Sequence, residues 1–232
     1  MTIKVFCDIA DINSIKKFNK LKIVKGFTTN PSLMRKAGAK DYKLYCKKIL
    51  NLTSKPISFE VFADDEKKMI KQGQEIRKWG KNIYVKVPVV NSKNQFTGKV
   101  IKDLNNLNIK LNITAVYNAT QTAKILKVLN KKTKVIISIF AGRAGDTGKD
   151  PLPEFLKSIK LAKKFKNVEI LWASVREPYN YTQAKQLGCH IITIPPSIIE
   201  KIEKFGKSFE KLTIETVKAF LIDSKKSKFK IL

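Results

Sequence analysis

Histidine and cysteine are scarce in this 232-residue chain, which contains one histidine and three cysteines. Cys7, Cys46 and Cys189 lie far apart, with neither the spacing of metal ligands nor the even number of a disulfide framework. We expect reduced, mostly buried thiols. Because His190 is the single histidine, a histidine-based triad, a zinc site and a histidine proton shuttle are nearly excluded. Acid–base chemistry would then depend on carboxylates, lysine, tyrosine or water.

Long apolar runs are also missing, since none approaches the roughly 20 residues that a membrane span requires. The first residues, MTIKVFCDIADIN, carry an early acid and no small-residue cleavage site, so they do not have the character of a signal peptide. We therefore expect a cytoplasmic protein.

Acidic residues are outnumbered, with 19 Asp and Glu against 47 Lys and Arg, which gives a net charge of +28. Such a charge ordinarily suggests nucleic acid or another anionic partner. Arginine, which reads phosphates and bases bidentately, occurs only at Arg35, Arg77, Arg143 and Arg176. The lysines are scattered along nearly every amphipathic segment, which favours solvated helix faces. A non-catalytic basic protein that binds polyanions stays open as an alternative.

Short apolar runs typical of strands recur along the chain. They span Ile3–Asp8, Lys22–Thr28, Ile57–Phe62, Ile83–Pro88, Ile109–Thr114, Lys134–Phe140, Val168–Ser174 and His190–Ile194. Between and after them lie segments with helical apolar spacing or helix-start prolines. These are Pro31–Ala37, Asp41–Leu52, Asp64–Trp79, Asn118–Asn130, Pro153–Phe165, Pro178–Leu187 and Ser208–Asp223.

Eight strands that alternate with helices indicate a parallel α/β architecture. The chain length fits a compact (β/α)8 TIM barrel, for which ~250 residues is typical. A doubly wound open sheet is the alternative, and the lack of a glycine-rich fingerprint after the first strand argues against it. We predict one barrel domain over residues 1–232, with a C-terminal helix and tail over residues 208–232.

Polar residues cluster near the carboxyl ends of the predicted strands, where the chemistry of barrel enzymes takes place. If side chains alternate between lumen and helix layer, one face collects Asp8, Glu60, Lys86, Asn112, Thr114, Ser138, Ser174 and Arg176. The same alternation places Trp172 with Ser174 and Arg176, where it would narrow the pocket. Two carboxylates, an amine and several polar groups in one lumen need mutual partners or a ligand.

Lys86 interrupts a β-branched run that otherwise has the pattern of a buried strand. Burying an ammonium without a partner is costly, so such a lysine tends to release its proton. A neutral amine is what Schiff-base chemistry on a carbonyl requires. We therefore interpret Lys86 as a candidate nucleophile toward a ketose, with Asp8 or Glu60 moving protons and Arg143 and Arg176 suited to a phosphate.

Seven segments resemble the transaldolases, particularly their short single-domain subfamily, and the similarity runs in order along nearly the whole chain. They are FCDIAD (6–11), GFTTNPSL (26–33), VKVP (85–88), NIT (112–114), SIFAGR (138–143), ASVR (173–176) and TIPP (193–196). The resemblance implies a (β/α)8 barrel that forms a Schiff base without metal or organic cofactor. It also implies transfer of a dihydroxyacetone unit from a ketose phosphate to an aldose phosphate, in a homo-oligomer.

The resemblance assigns roles residue by residue. Lys86 matches the Schiff-base lysine, Asp8 the aspartate that assists proton transfer, and Glu60 with Thr114 the pair that positions the catalytic water. Substrate contacts are implied for Thr28, Asn30, Asn112, Ser138, Phe140, Arg143, Ser174 and Arg176, of which the two arginines would bind phosphate. The related fructose 6-phosphate aldolases carry glutamine at the position of Glu60 and tyrosine at that of Phe140, so transfer is favoured over release of free dihydroxyacetone. An aldolase of that type and a transaldolase-like enzyme of a specialised sugar pathway stay open as alternatives.

Overall fold

Eight parallel strands close into a barrel in the computed structural model, which describes residues 2–231. They are β1 (Lys4–Asp8), β2 (Val24–Thr28), β3 (Ile57–Glu60), β4 (Ile83–Pro88), β5 (Leu111–Val116), β6 (Val135–Phe140), β7 (Val168–Ala173) and β8 (Ile191–Ile194). Each strand pairs with its sequence neighbour, and β8 closes on β1. The predicted (β/α)8 barrel is confirmed.

Helices follow every strand on the outside of the barrel. The described residues form α1 (Ile12–Asn19), α2 (Pro31–Lys36), α3 (Tyr42–Leu50), α4 (Glu66–Lys78), α5 (Gly98–Asn106), α6 (Ala119–Val128), α7 (Ala141–Gly145), α8 (Leu152–Ala162), α9 (Tyr179–Leu187), α10 (Pro196–Ile202) and α11 (Phe209–Ser227). The sequence prediction did not include α1, α5, α7 and α10, which span nine residues or fewer.

Capping side chains fix where several of these helices begin. Asp41, Asp65 and Ser208 each accept a hydrogen bond from the backbone N–H three residues later. Asn118 forms a capping box with Gln121, in which each side chain satisfies the other residue's backbone N–H. Asp, Ser and Asn, which are unfavourable inside helices, therefore stabilise the helix starts.

The hydrophobic core has two layers. The larger one lies between the strands and the helices, and the smaller one fills the lumen with Phe6, Tyr84, Ile136, Leu171 and Ile191 among others. Phe6 can plug the lumen because its neighbour across the β1–β2 pair is Gly26, where a Cβ would lie 2.6 Å from the Phe6 ring. The amino end of the lumen is thus closed by apolar side chains, and polar residues are left for the carboxyl end.

Helix α11 differs from the others because none of its residues is buried. Phe209 is 89% exposed and Phe220 is 69% exposed, and Val217, Leu221 and Ile222 are also exposed. In residues 2–231, none of the helices combines the length and the apolar composition that a membrane span needs.

Candidate active site

The amine of Lys86 lies inside the barrel, and only 8% of this residue's surface is exposed. Its Nζ is 3.3 Å from Glu60 Oε2 and donates a hydrogen bond of 3.0 Å to the carbonyl oxygen of Thr29. Strand β3 thus supplies an ion-pair partner, and the residue that follows β2 supplies a neutral acceptor. The cost of burying this ammonium is offset by Glu60 and Thr29, so the amine is held in one position.

Strand register explains why these groups meet. Glu60 pairs with Lys86 across β3 and β4, and Lys86 pairs with Asn112 across β4 and β5. Residues opposite each other in a parallel pair face the same side of the sheet. Three successive strands therefore present a carboxylate, an amine and an amide at one height in the lumen.

Asp8 ends β1 on the far side of the lumen and accepts a 2.6 Å hydrogen bond from the Thr28 hydroxyl. Thr193 in turn lies 2.5 Å from Thr28 and donates to it, because the only hydroxyl proton of Thr28 goes to Asp8. Burial raises the pKa of Asp8, while the Thr28 hydrogen bond and the positive charge of Lys86 act in the opposite direction. A carboxyl with a raised pKa is a suitable proton acceptor and donor in a cavity that also holds the Lys86 amine.

Asn112 is the centre of a buried polar chain. Its Nδ2 donates to Ser58 Oγ at 2.9 Å, and its Oδ1 accepts from Ser138 Oγ at 2.7 Å. Asn112 and Ser138 line the cavity, where one N–H of Asn112 and the acceptor lone pairs of the Ser138 hydroxyl stay available to a ligand. The hydroxyl of Thr114, in contrast, is buried without a protein partner. A buried hydroxyl in that state is a suitable site for a water molecule or a substrate oxygen.

The TTNPSL segment has a local structural explanation. Asn30 is the N-cap of α2, where its Oδ1 accepts from the N–H of Leu33 at 2.9 Å, and Pro31 occupies the first helical turn. Thr29 donates its hydroxyl to the Ser58 carbonyl at 2.8 Å and turns its own carbonyl toward Lys86. The amide Nδ2 of Asn30 stays available at the cavity.

Both predicted phosphate-binding arginines belong to one tightly packed corner. Gly142 in α7 approaches the end of β7 so closely that a Cβ there would lie 1.8 Å from the Ser174 carbonyl oxygen. Ser174 has a φ of 62°, and its hydroxyl accepts the Arg143 N–H at 3.1 Å. Arg176 forms a bidentate ion pair with Asp146, in which its Nε is 3.0 Å from Oδ1.

A cavity of about 470 Å³ opens at the carboxyl ends of the strands and contains every predicted site residue. Its lining includes Asp8, Thr28, Asn30, Glu60, Lys86, Asn112, Thr114, Ser138, Phe140, Arg143, Ser174 and Arg176. Phe140 forms part of the wall, and the Arg143 guanidinium lies 5.4 Å from the centre of its ring. The predicted residues therefore lie together around one space.

The prediction for Trp172 was wrong. Its indole points outward and stacks on Phe155 of α8, with ring centroids 4.5 Å apart, while Leu171 and Ala173 face the lumen. The strand alternation ends at Ala173, and the left-handed backbone of Ser174 turns that side chain back to the cavity. Trp172 therefore does not narrow the pocket.

Sequence reasoning missed several contributors. Thr193, Lys36 and Pro88 line the cavity, the Thr29 carbonyl contacts the amine, and Asp146 holds Arg176. Thr193 lies in the TIPP segment, which signalled its position but not its role. No sequence signal pointed to Asp146, since it lies 30 residues from its partner.

Comparison with known proteins agrees with this geometry. The sequence model of the Transaldolase/Fructose-6-phosphate aldolase family matches residues 5–231. The chain belongs to this family. It is 33% identical over 225 residues to a protein named "Probable transaldolase" from Nitrosopumilus maritimus, covering 91% of this chain and 97% of that protein. A Thermoanaerobacter protein of the same name is 32% identical over 232 residues, covering 98% of this chain and 100% of the relative.

A solved structure supports the fold independently of sequence. The 2-keto 3-deoxygluconate aldolase from Picrophilus torridus superposes with a TM-score of 0.60 at 12% identity, covering 100% of this chain and 89% of that one. At this identity the likeness shows the barrel fold alone. Membership of the transaldolase/fructose-6-phosphate aldolase family makes the chain an enzyme of the aldolase and transaldolase type.

Proposed function

We propose that the chain is a transaldolase that moves a dihydroxyacetone unit from a ketose phosphate to an aldose phosphate through a Schiff base on Lys86. The observation that carries this proposal is the position of the Lys86 amine. It lies in the lumen with Glu60 at 3.3 Å, in a cavity whose outer part holds Arg143 and Arg176. A nucleophile beside an acid–base group and an anion site is what this chemistry requires.

The reaction begins at the amine. The Lys86 ammonium gives a proton to Glu60 and then adds, as the free amine, to the C2 carbonyl of the ketose phosphate. Loss of water gives an imine that is protonated to an iminium ion. The C3–C4 bond then breaks, and its electron pair moves to the iminium to leave an enamine on Lys86. The C4 hydroxyl gives its proton to Asp8 as the aldose phosphate leaves as an aldehyde.

The second half reverses these steps with a different aldehyde. The enamine carbon attacks the carbonyl of the acceptor aldose phosphate, and the oxygen of that carbonyl takes the proton back from Asp8. Water then adds to the iminium carbon, and the product leaves as Lys86 is released. We assign the positioning of this water to Glu60 and to the buried, unpartnered hydroxyl of Thr114.

The remaining lining residues bind the sugar. Asn112, Ser138 and Thr28 offer hydrogen bonds to hydroxyls near the reacting carbons, and Asn30 and Ser174 offer further polar groups in the cavity wall. Arg143 and Arg176 bind the phosphate as a pair, since guanidinium groups match its geometry bidentately.

An aldolase that releases free dihydroxyacetone is the second reading, and it would use the same Schiff base. Glu60 and Phe140 argue against it, because the fructose 6-phosphate aldolases carry glutamine and tyrosine there. A polyanion-binding role without catalysis would leave the ordered set of Lys86, Glu60 and Asp8 without use.

Borohydride reduction in the presence of fructose 6-phosphate tests the proposal. We expect a mass increase on the peptide that contains Lys86, and no adduct in Lys86→Ala. Lys110→Ala is a matched control, because Lys110 is also a partly buried lysine but donates to the Lys81 carbonyl before β5 begins. Adding erythrose 4-phosphate should yield a seven-carbon ketose from a transferase and free dihydroxyacetone from an aldolase.

We also propose that the chain forms a homo-oligomer through α11. This helix exposes Phe209, Val217 and Phe220, yet buries no residue of its own. An apolar helix face of this kind is typical of an interface, and a second copy offers the same surface. Light scattering on the purified chain should give a mass that is a multiple of 26.4 kDa. A monomer at micromolar concentration would contradict the proposal.

A further inference from the structure

We propose that Asp146 is a positioning residue for the phosphate end of the substrate and acts through Arg176. This inference rests on the proposed function, because it assigns the orientation of the anion site in that reaction. Although Asp146 is negatively charged and lies beside an anion site, we infer that its carboxylate strengthens phosphate binding.

The first support is the contact between the two side chains. Arg176 donates from Nε and Nη2 to the two carboxylate oxygens of Asp146. A bidentate arginine–carboxylate pair fixes the plane of the guanidinium as well as its position. Arg176 is half exposed at the rim, so without this pair its long side chain would sample many rotamers.

The second support is the side from which Asp146 approaches. Arg176 lines both the 470 Å³ cavity and a neighbouring 230 Å³ pocket between α7 and α9. Asp146 lines only the smaller pocket. The carboxylate therefore holds Arg176 from outside the substrate cavity.

The third support is the number of donors. A guanidinium has five N–H groups, and the pair with Asp146 uses one on Nε and one on Nη2. The second N–H of Nη2 and both of Nη1 stay free, which is enough for a bidentate contact with a phosphate. Asp146 thus leaves one edge of Arg176 available and fixes where that edge lies.

The surrounding corner makes this arrangement rigid. Asp146 follows α7 directly, and Gly142 of the same short helix packs against the Ser174 carbonyl. Ser174 accepts the N–H of Arg143, so both arginines depend on the contact between α7 and the end of β7. Arg176 lowers the pKa of Asp146, so the carboxylate stays charged throughout the neutral range.

The opposite reading is that Asp146 competes with phosphate for Arg176. Removing the carboxylate would then strengthen phosphate binding, because a nearby negative charge would be gone. The two readings predict changes of opposite sign, so one substitution separates them.

The test compares Asp146→Ala, Asp146→Asn, Arg176→Ala and the double Ala variant. We expect Asp146→Ala to raise the KM for fructose 6-phosphate and the inhibition constant of inorganic phosphate by about 10-fold. This factor is at the lower end of the range for losing a charged hydrogen bond, because the pair lies at an exposed site. Turnover at saturation should stay within about two-fold, since Asp146 does not touch the reacting carbons. The KM for unphosphorylated fructose should not change. Asp146→Asn keeps one hydrogen-bond acceptor, so its constants should lie between those of the wild type and those of Asp146→Ala.

The double variant gives the decisive comparison. If Asp146 acts through Arg176, adding Asp146→Ala to Arg176→Ala causes no further loss. Asp103→Ala is the control, because it removes a surface carboxylate paired with Lys99 at 2.7 Å on α5. Unchanged or lower constants in Asp146→Ala, or additive losses in the double variant, would overturn the inference. Failure of the wild type to form an adduct at Lys86 would instead overturn the proposed function, while phosphate binding measured by calorimetry would still report on Asp146.

Discussion

Replacing Asp8 by asparagine should make the protein less active and more stable. Asparagine has the same shape and still accepts the hydrogen bond from Thr28, but it cannot exchange a proton with the substrate. Loss of a general acid–base group typically costs 10²–10⁴ in rate, so we expect kcat to fall by about that factor. Adduct formation at Lys86 should persist, because the amine and its partners Glu60 and Thr29 are unchanged.

The stability change follows from the pKa of Asp8. Burial raises this pKa above the ordinary value of 3.8, so folding favours the protonated form. When the pH rises above this raised pKa, Asp8 ionises in the folded protein, where its carboxylate is less stable than in water. The stability that protonated Asp8 gives to the folded state at lower pH is then lost. A free-energy difference of 1 kcal/mol moves Tm by roughly 2–4 °C in a chain of this size, so melting curves detect a change of this kind. Asp8→Asn should therefore raise Tm at pH 7.

The pH dependence separates this cause from general packing effects. Below pH 3.8 Asp8 is protonated in both the folded and the unfolded states, so the variant and the wild type should melt alike there. Asp11→Asn is the control with the opposite sign, since the backbone N–H of Ser14 lowers the pKa of that N-cap. It should lose stability at pH 7 by about 0.3–1 kcal/mol with activity intact. A lower Tm for Asp8→Asn at pH 7, or a Tm gain that persists at pH 3, would refute this reasoning.

Three further predictions test other parts of the account. Gly142→Ala should move α7 away from the Ser174 carbonyl and cost about 1–3 kcal/mol of stability, which thermal melting would report. It should also raise the KM for phosphorylated sugars more than the KM for fructose, as steady-state kinetics would show. Phe220→Asp on α11 should reduce the oligomer to smaller species in sedimentation without changing the melting of the barrel, and an unchanged mass would argue that this face is not the interface. Combining Glu60→Gln with Phe140→Tyr should shift the products from the seven-carbon ketose toward free dihydroxyacetone, which chromatography separates.

The fold was largely predictable because the strands follow a simple pattern. β4 has the predicted bounds, Ile83–Pro88, and the other strands differ from prediction by up to two residues at either end. Buried parallel strands are near-continuous β-branched runs, and these stand out in a lysine-rich chain. Short helices such as α7 and α10 lack enough turns to show periodicity, so the sequence did not reveal them.

The predicted site residues lie in one cavity because side chains alternate between the two faces along most strand residues, apart from Ala115 in β5, which has a positive φ. In β7 the alternation ended after Ala173, and the left-handed backbone of Ser174 turned that residue's own side chain back to the cavity. Trp172 and Ser174 therefore do not share a face, as the prediction had assumed. A positive φ at a serine has no signal in the sequence. Asp146 was not predicted for a different reason. Its pairing with Arg176 depends on how the residue after α7 meets the segment after β7. The roles of the site residues stay proposals.

The most direct test of the central claim is identification of the lysine that borohydride traps with fructose 6-phosphate. We expect one modified residue, Lys86, and the loss of this modification in Lys86→Ala. Modification at any other lysine, or turnover that persists in Lys86→Ala, would contradict it.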